Sequence, residues 1–166
     1  EFQKSDAIKD CLNCLECAEA CPTGALRERD DTDKVLDALA DPEKITVVQI
    51  APAVRAAWGE SFGLSREFAT TKRLVSALRR MGINYIFDTN FSADLTIMEE
   101  GSEFLKRLPE IKQSGLPMFT SCCPGWVRFL KSQYPERTEE LSTAKSPQQM
   151  FGAIAKTYFA EKIGID

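Results

Sequence analysis

Cys11, Cys14, Cys17 and Cys21 crowd into one short stretch of this 166-residue chain, and Pro22 follows the last of them. The spacing C-x2-C-x2-C-x3-C-P is that of thiolates wrapping cubane iron–sulfur clusters. The first three thiolates grip one cluster, and the fourth ordinarily ligates a second whose other ligands lie elsewhere. No second cysteine triplet is present, so Cys21 lacks those partners here. A zinc knot prefers two spaced pairs, often with histidine, and the chain has no histidine. A disulfide staple needs an oxidising compartment. Nothing like a signal peptide opens the chain, so a cytoplasmic location is expected.

The remaining two cysteines are adjacent, in Met118-Phe119-Thr120-Ser121-Cys122-Cys123-Pro124-Gly125-Trp126. They follow a short apolar run and precede Pro-Gly, where a strand breaks into a loop. Loops at strand ends carry function more often than the elements do. Buried free thiols or a vicinal disulfide are the bland alternatives.

The absence of histidine excludes imidazole acid–base catalysis, a Ser-His-Asp triad and histidine metal sites together. Proton traffic near neutrality falls to carboxylates, thiols, lysines or water. A net charge of -4 argues against nucleic acid as a partner, and no stretch approaches a membrane span. An apolar fraction of 43% is enough for a core.

Ile45–Ala51, Ile83–Phe87 and Leu116–Thr120 read as short buried strands. Helical patterns cover 34–39, 66–81, 91–108, 125–133 and 146–163, with Asn90 or Ser92 capping the third and Pro147 in the first turn of the last. Alternating strands and helices imply an α/β fold, a parallel sheet flanked by helices, preceded by an iron–sulfur segment. The expected division is residues 1–33 and 34–166. Ligands of such sheets bind beyond the carboxyl ends of the strands. Glu100, Glu103 and Arg107 share one helix face. Such a face is usually a wet, salt-bridged surface, but buried it would make a proton row.

Thr120-Ser121-Cys122-Cys123-Pro124-Gly125-Trp126 resembles the first signature of the iron-only ([FeFe]) hydrogenases. Residues 87–100 (Phe87 to Glu100), Ala51-Pro52-Ala53-Val54-Arg55-Ala56 and Ser142-Thr143-Ala144-Lys145-Ser146-Pro147-Gln148-Gln149 resemble that family too. The ferredoxin-like run stands upstream, as the family has it. The resemblance implies the N-terminal lobe of a hydrogenase catalytic domain behind part of a ferredoxin-like 4Fe-4S domain. It implies reversible reduction of protons to dihydrogen, with electrons from ferredoxin or another redox protein. The implied cofactors are 4Fe-4S clusters and a di-iron subcluster with carbonyl, cyanide and dithiolate ligands (together the H-cluster).

By position, Cys123 resembles a cubane ligand and Cys122 the thiol that passes protons to the bridging amine. Glu100, Ser142, Glu103 and Arg107 resemble the proton path. Pro52, Ala53 and Gln148 resemble residues lining the di-iron pocket. Ala53 stands where some members have serine, which removes one hydrogen bond to a cyanide. Two further cysteine-bearing signatures and a cyanide-binding lysine have no counterpart here, so a partial sequence is expected. Non-catalytic relatives, iron–sulfur assembly factors and sensory proteins, offer the second class of function. An unbroken proton row favours the enzyme.

Overall fold

The structure, a computed structural model, describes residues 11–165. The first ten residues of the expected 1–33 segment, and residue 166, lie outside the described residues. In chain order the elements are α1 (Glu16–Glu19), α2 (Thr32–Ala40), β1 (Val47–Ile50), α3 (Pro52–Ala57), α4 (Thr71–Arg80), β2 (Tyr85–Asp88), α5 (Asn90–Ser114), α6 (Pro124–Gln133), α7 (Pro147–Ile154) and α8 (Ala160–Lys162). A π-helical turn, Ala155–Phe159, joins α7 to α8. The helix expected over 146–163 is therefore continuous but widened in its middle.

Two compact units interleave along the chain, one made of residues up to 29 with 96–146, the other of 30–95 with 147 onward. The cysteine run therefore groups with the segment holding Cys122 and Cys123, and not with the residues that directly follow it.

In the second unit, β1 and β2 pair in parallel, Val47 opposite Tyr85 and Ile50 opposite Asp88. Side chains alternate across a strand, so Tyr85 and Phe87 share one face. Phe159 stacks edge-on against both with centroids 5.0 Å away, and Phe151 lies 5.5 Å from Phe87. Ile50, Leu74 and Phe151 are buried. Helix α4 lies against β2 and α3. It stops where Gly82, at φ 99, turns the chain left-handed. There the Gly82 N–H reaches the Arg79 carbonyl and the Ile83 N–H the Leu78 carbonyl, a Schellman arrangement that satisfies two orphan acceptors.

Helix α5 begins at Asn90, so Asn90 and Ser92, the expected caps, both lie inside it. Asp88 Oδ1 accepts the Asn90 N–H at 2.9 Å, and the fully buried Ser92 donates its hydroxyl to the Thr89 carbonyl. An aspartate bonding its own backbone two residues on is a strong local turn former. The helix also runs past Leu108, the expected end, through Pro109 to Ser114.

The third expected strand is corrected. Among the described residues the sheet holds β1 and β2 alone, and Leu116–Thr120 contributes a single parallel bridge, Phe119 to Leu141, in the first unit. Phe119 N–H donates to the Glu140 carbonyl at 2.8 Å, and Ser142 N–H to the Phe119 carbonyl at 2.7 Å. Pro117 has no N–H, so the run is short of donors for a longer ladder.

Candidate functional site

In the first unit, the Phe119 bridge delivers Ser142 to the side of α5 that carries Glu103 and Arg107. The Ser142 hydroxyl donates to Glu103 Oε2 at 2.5 Å. The Thr143 N–H donates to both Glu103 oxygens, at 3.1 and 3.0 Å. Arg107 Nη2 stands 2.7 Å from Glu103 Oε1, an i,i+4 pair. The same guanidinium donates to the Glu139 and Leu141 carbonyls at 3.1 and 3.2 Å. The Glu103 side chain is only 15% exposed and Arg107 27%, so the face is not the wet surface that charged helix faces usually are. Burial pushes the Glu103 carboxyl upward. The Ser142 hydroxyl, the Thr143 amide and the Arg107 charge outweigh it and hold it below its ordinary value. Glu100 sits half-buried one turn earlier on α5, outside this bonded group.

Thr143 was missed from the sequence because its contribution is a backbone N–H, which no residue type announces. The anchoring of Arg107 on two carbonyls was missed for the same reason.

Cys122 and Cys123 are free, exposed thiols on the turn into α6. Ser121 Oγ accepts the Cys123 N–H at 3.0 Å, and Pro124 takes the first helical position, where its missing donor costs nothing. The helix expected from Gly125 begins one residue earlier, at Pro124, directly after the cysteines. Phe119 packs edge-on against Trp126, centroids 5.7 Å apart.

The cysteine run coils tightly. Asn13 and Leu15 adopt left-handed backbone at φ 57 and 68, and α1 follows. Cys14 and Cys17 are exposed, while Cys11 and Cys21 are half-buried. Among the described residues no three metal-ligating side chains converge, so a cluster would have to draw the thiols in. The donor set suits one. The Leu26 amide, then the hydroxyl and amide of Thr23, pull the Cys21 thiol down to about 7, and the thiolate is the form that binds iron.

In the second unit, Pro52 opens α3 and Ala53 follows it, both exposed. Arg55 of that helix pairs with Asp88 at the carboxyl end of β2. Gln49 on β1 accepts the Thr89 hydroxyl at 3.2 Å and donates to the Gln148 carbonyl at 3.4 Å. The expected pocket residues Pro52, Ala53 and Gln148 thus all belong to segments tied to the carboxyl ends of the two strands.

Comparison with known proteins decides the family. Residues 44–165 match the iron only hydrogenase large subunit, C-terminal domain, and residues 9–27 match a 4Fe-4S binding domain. The chain belongs to the iron-only hydrogenase family. It is 53% identical to the NADP-reducing hydrogenase subunit HndD of Solidesulfovibrio fructosivorans, over 99% of this chain and 29% of that protein. It is also 33% identical to the cytosolic iron-sulfur assembly component 3 of Rattus norvegicus, over 94% of this chain and 34% of that one. Among solved structures it superposes on apo [FeFe]-hydrogenase HydA1 from Chlamydomonas reinhardtii with a TM-score of 0.76 at 49% identity, covering 82% of this chain and 35% of that one. The chain therefore spans about a third of the length of these iron-only hydrogenase relatives. Among the described residues no helix is long and apolar enough to cross a membrane.

Proposed function

We propose that this chain is the part of a hydrogenase catalytic subunit that carries one cluster-binding loop, one thiolate of the catalytic cubane and a stretch of the proton path. The full protein interconverts protons and dihydrogen. The observation that supports this best is Glu103, a carboxylate withdrawn from solvent and held by Ser142, Thr143 and Arg107. Charged side chains are rarely this withdrawn from solvent, and here the hydrogen bonds tie α5 to the segment that leads into Cys122 and Cys123.

Cys11, Cys14 and Cys17 would hold one 4Fe-4S cluster, with Cys21 directed to another. Cys123 would supply one thiolate to the cubane next to the di-iron subcluster, the other ligands coming from parts of the subunit beyond this chain. When bound, these groups supply one-electron transfer and the iron site at which protons and dihydrogen interconvert. Cys122 hands protons on at its sulfur. Glu100 and Glu103 take and release protons at their carboxyl oxygens, and the Ser142 hydroxyl bridges as both donor and acceptor. Arg107 orients Glu103 through the guanidinium that pairs with its carboxylate. Pro52, Ala53 and Gln148 shape the di-iron pocket. Electrons arrive from ferredoxin or another redox protein, in the cytoplasm, where thiolates remain reduced.

The similarity to the assembly component favours one alternative, a non-catalytic iron–sulfur protein on the same scaffold. Purifying the full-length protein with its clusters and di-iron group, and measuring hydrogen evolution from a reduced viologen, separates the two. Turnover supports the hydrogenase. Its complete absence in fully loaded protein rejects it in favour of the assembly or sensory reading.

A further inference from the structure

Gly125 is the second residue of α6. A glycine costs about 1 kcal/mol against alanine inside a helix, so its presence there has to be explained. Its backbone is not left-handed, unlike Gly24, Gly63, Gly82, Gly115 and Gly164. Conformation therefore does not demand glycine. Space does. A Cβ at position 125 would sit 3.2 Å from the Leu12 carbonyl oxygen and 3.7 Å from Cys123 Sγ. Gly101 and Gly152, also within helices, would meet nothing within 4 Å.

The two neighbours of that missing methyl belong to the two cysteine motifs. Leu12 lies between Cys11 and Cys14. The left-handed Asn13 and Leu15 shape the turn that follows it. The Cys123 sulfur stands at ordinary van der Waals distance from the same point. All of these residues fall in one compact unit. Gly125 is thus a point of close approach between the loop that would hold a 4Fe-4S cluster and the segment carrying the residue that would ligate the catalytic cubane.

We infer that Gly125 is a positioning residue that sets the separation between the Cys11–Cys17 cluster site and Cys123, and with it the rate of electron transfer between them. The inference rests on the hydrogenase reading for what the two sites hold. A Cβ at 125 requires the Leu12 backbone to give by a few tenths of an ångström, and a larger side chain requires more. Electron tunnelling falls steeply with distance, so a small displacement slows it.

The test uses full-length, cluster-loaded protein carrying Gly125→Ala or Gly125→Val. In the reduced proteins, electron paramagnetic resonance reads the magnetic broadening that the two cluster sites impose on each other. Viologen-linked hydrogen evolution reads electron delivery. Hydrogen–deuterium exchange reads chemistry at the active site without electrons passing along the cluster chain. Expected are unchanged iron content, with magnetic broadening weakened and viologen-linked turnover slowed slightly in Gly125→Ala and more in Gly125→Val, and exchange near the unmodified rate. Unchanged broadening in a loaded variant overturns the inference. So does exchange falling in step with turnover, because Gly125 would then be acting on the Cys123 side alone. Should Gly125→Val fail to fold, Gly125→Ala still decides. If the unmodified protein shows no hydrogen chemistry, the hydrogenase reading fails, while the magnetic comparison still judges Gly125.

Discussion

Ser142 donates its side-chain hydroxyl to Glu103 at 2.5 Å and its backbone N–H to the carbonyl of Phe119 at 2.7 Å. One residue therefore locks the carboxylate of α5 to the segment that leads into Cys122 and Cys123. The bridge is short, yet it places chemistry from three distant stretches of chain in one unit.

Replacing Glu103 with Gln should leave the clusters in the full-length enzyme and lower hydrogen turnover about a hundredfold or more, the usual scale for loss of a positioned proton carrier. Loss of a charged hydrogen-bond acceptor should also cost about 1.5–3 kcal/mol of stability. Hydrogen assay, iron analysis and denaturant titration check both parts. Near-normal turnover would mean that protons travel by another route.

Glu103 also gives a pH dependence. Its folded-state carboxyl lies below its ordinary value of 4.5, so the unfolded chain binds the proton more readily than the folded one. The stability it contributes is complete above that ordinary value and drains away as pH falls through the lower, folded value. Between pH 6 and about 3, the unmodified protein should therefore lose more of its denaturation midpoint than Glu103→Gln does. Parallel curves for the two proteins would contradict this.

Asp88 joins two elements by accepting the Asn90 N–H and pairing with Arg55. Asp88→Ala should destabilise the protein by about 0.5–2 kcal/mol, the range for a lost helix-start acceptor. Asp88→Asn should recover most of it, because the pair with Arg55 is partly exposed and such pairs contribute little. Thermal melts of both variants are the check. Equal destabilisation by both would put the charge ahead of the turn.

Cys122 and Cys123 should separate by role. Cys123→Ala should lose the catalytic cubane, read as missing iron and a missing spectroscopic signal. Cys122→Ala should keep every cluster and nearly abolish turnover. Normal hydrogen evolution by Cys122→Ala would remove it from the proton path.

Cys14→Ala in the full-length protein should cost one cluster's worth of iron, since three thiolates at this spacing wrap one cubane. Full iron content would show that Cys11, Cys14 and Cys17 do not act as a set.

Local features were legible from residue order. The cysteine spacing, the helices α2, α4, α5 and α6, and the parallel pairing of β1 with β2 rest on short-range periodicity, which each segment carries in itself. The candidate carboxylates also declared themselves, because three- and four-residue spacing on a helix puts side chains on one face. Whether that face was wet or buried was a different matter. Only the return of Ser142 and Thr143 alongside Phe119, a contact remote along the chain, took Glu103 out of solvent. Leu116–Thr120 has the composition of a strand, yet a strand exists only where a partner ladder does, and Pro117 leaves this one a single bridge. Gly125 read only as the start of the helix over 125–133. Its meaning came from Leu12, brought against it by folding, because steric room belongs to a pair of surfaces and cannot be read from either one alone.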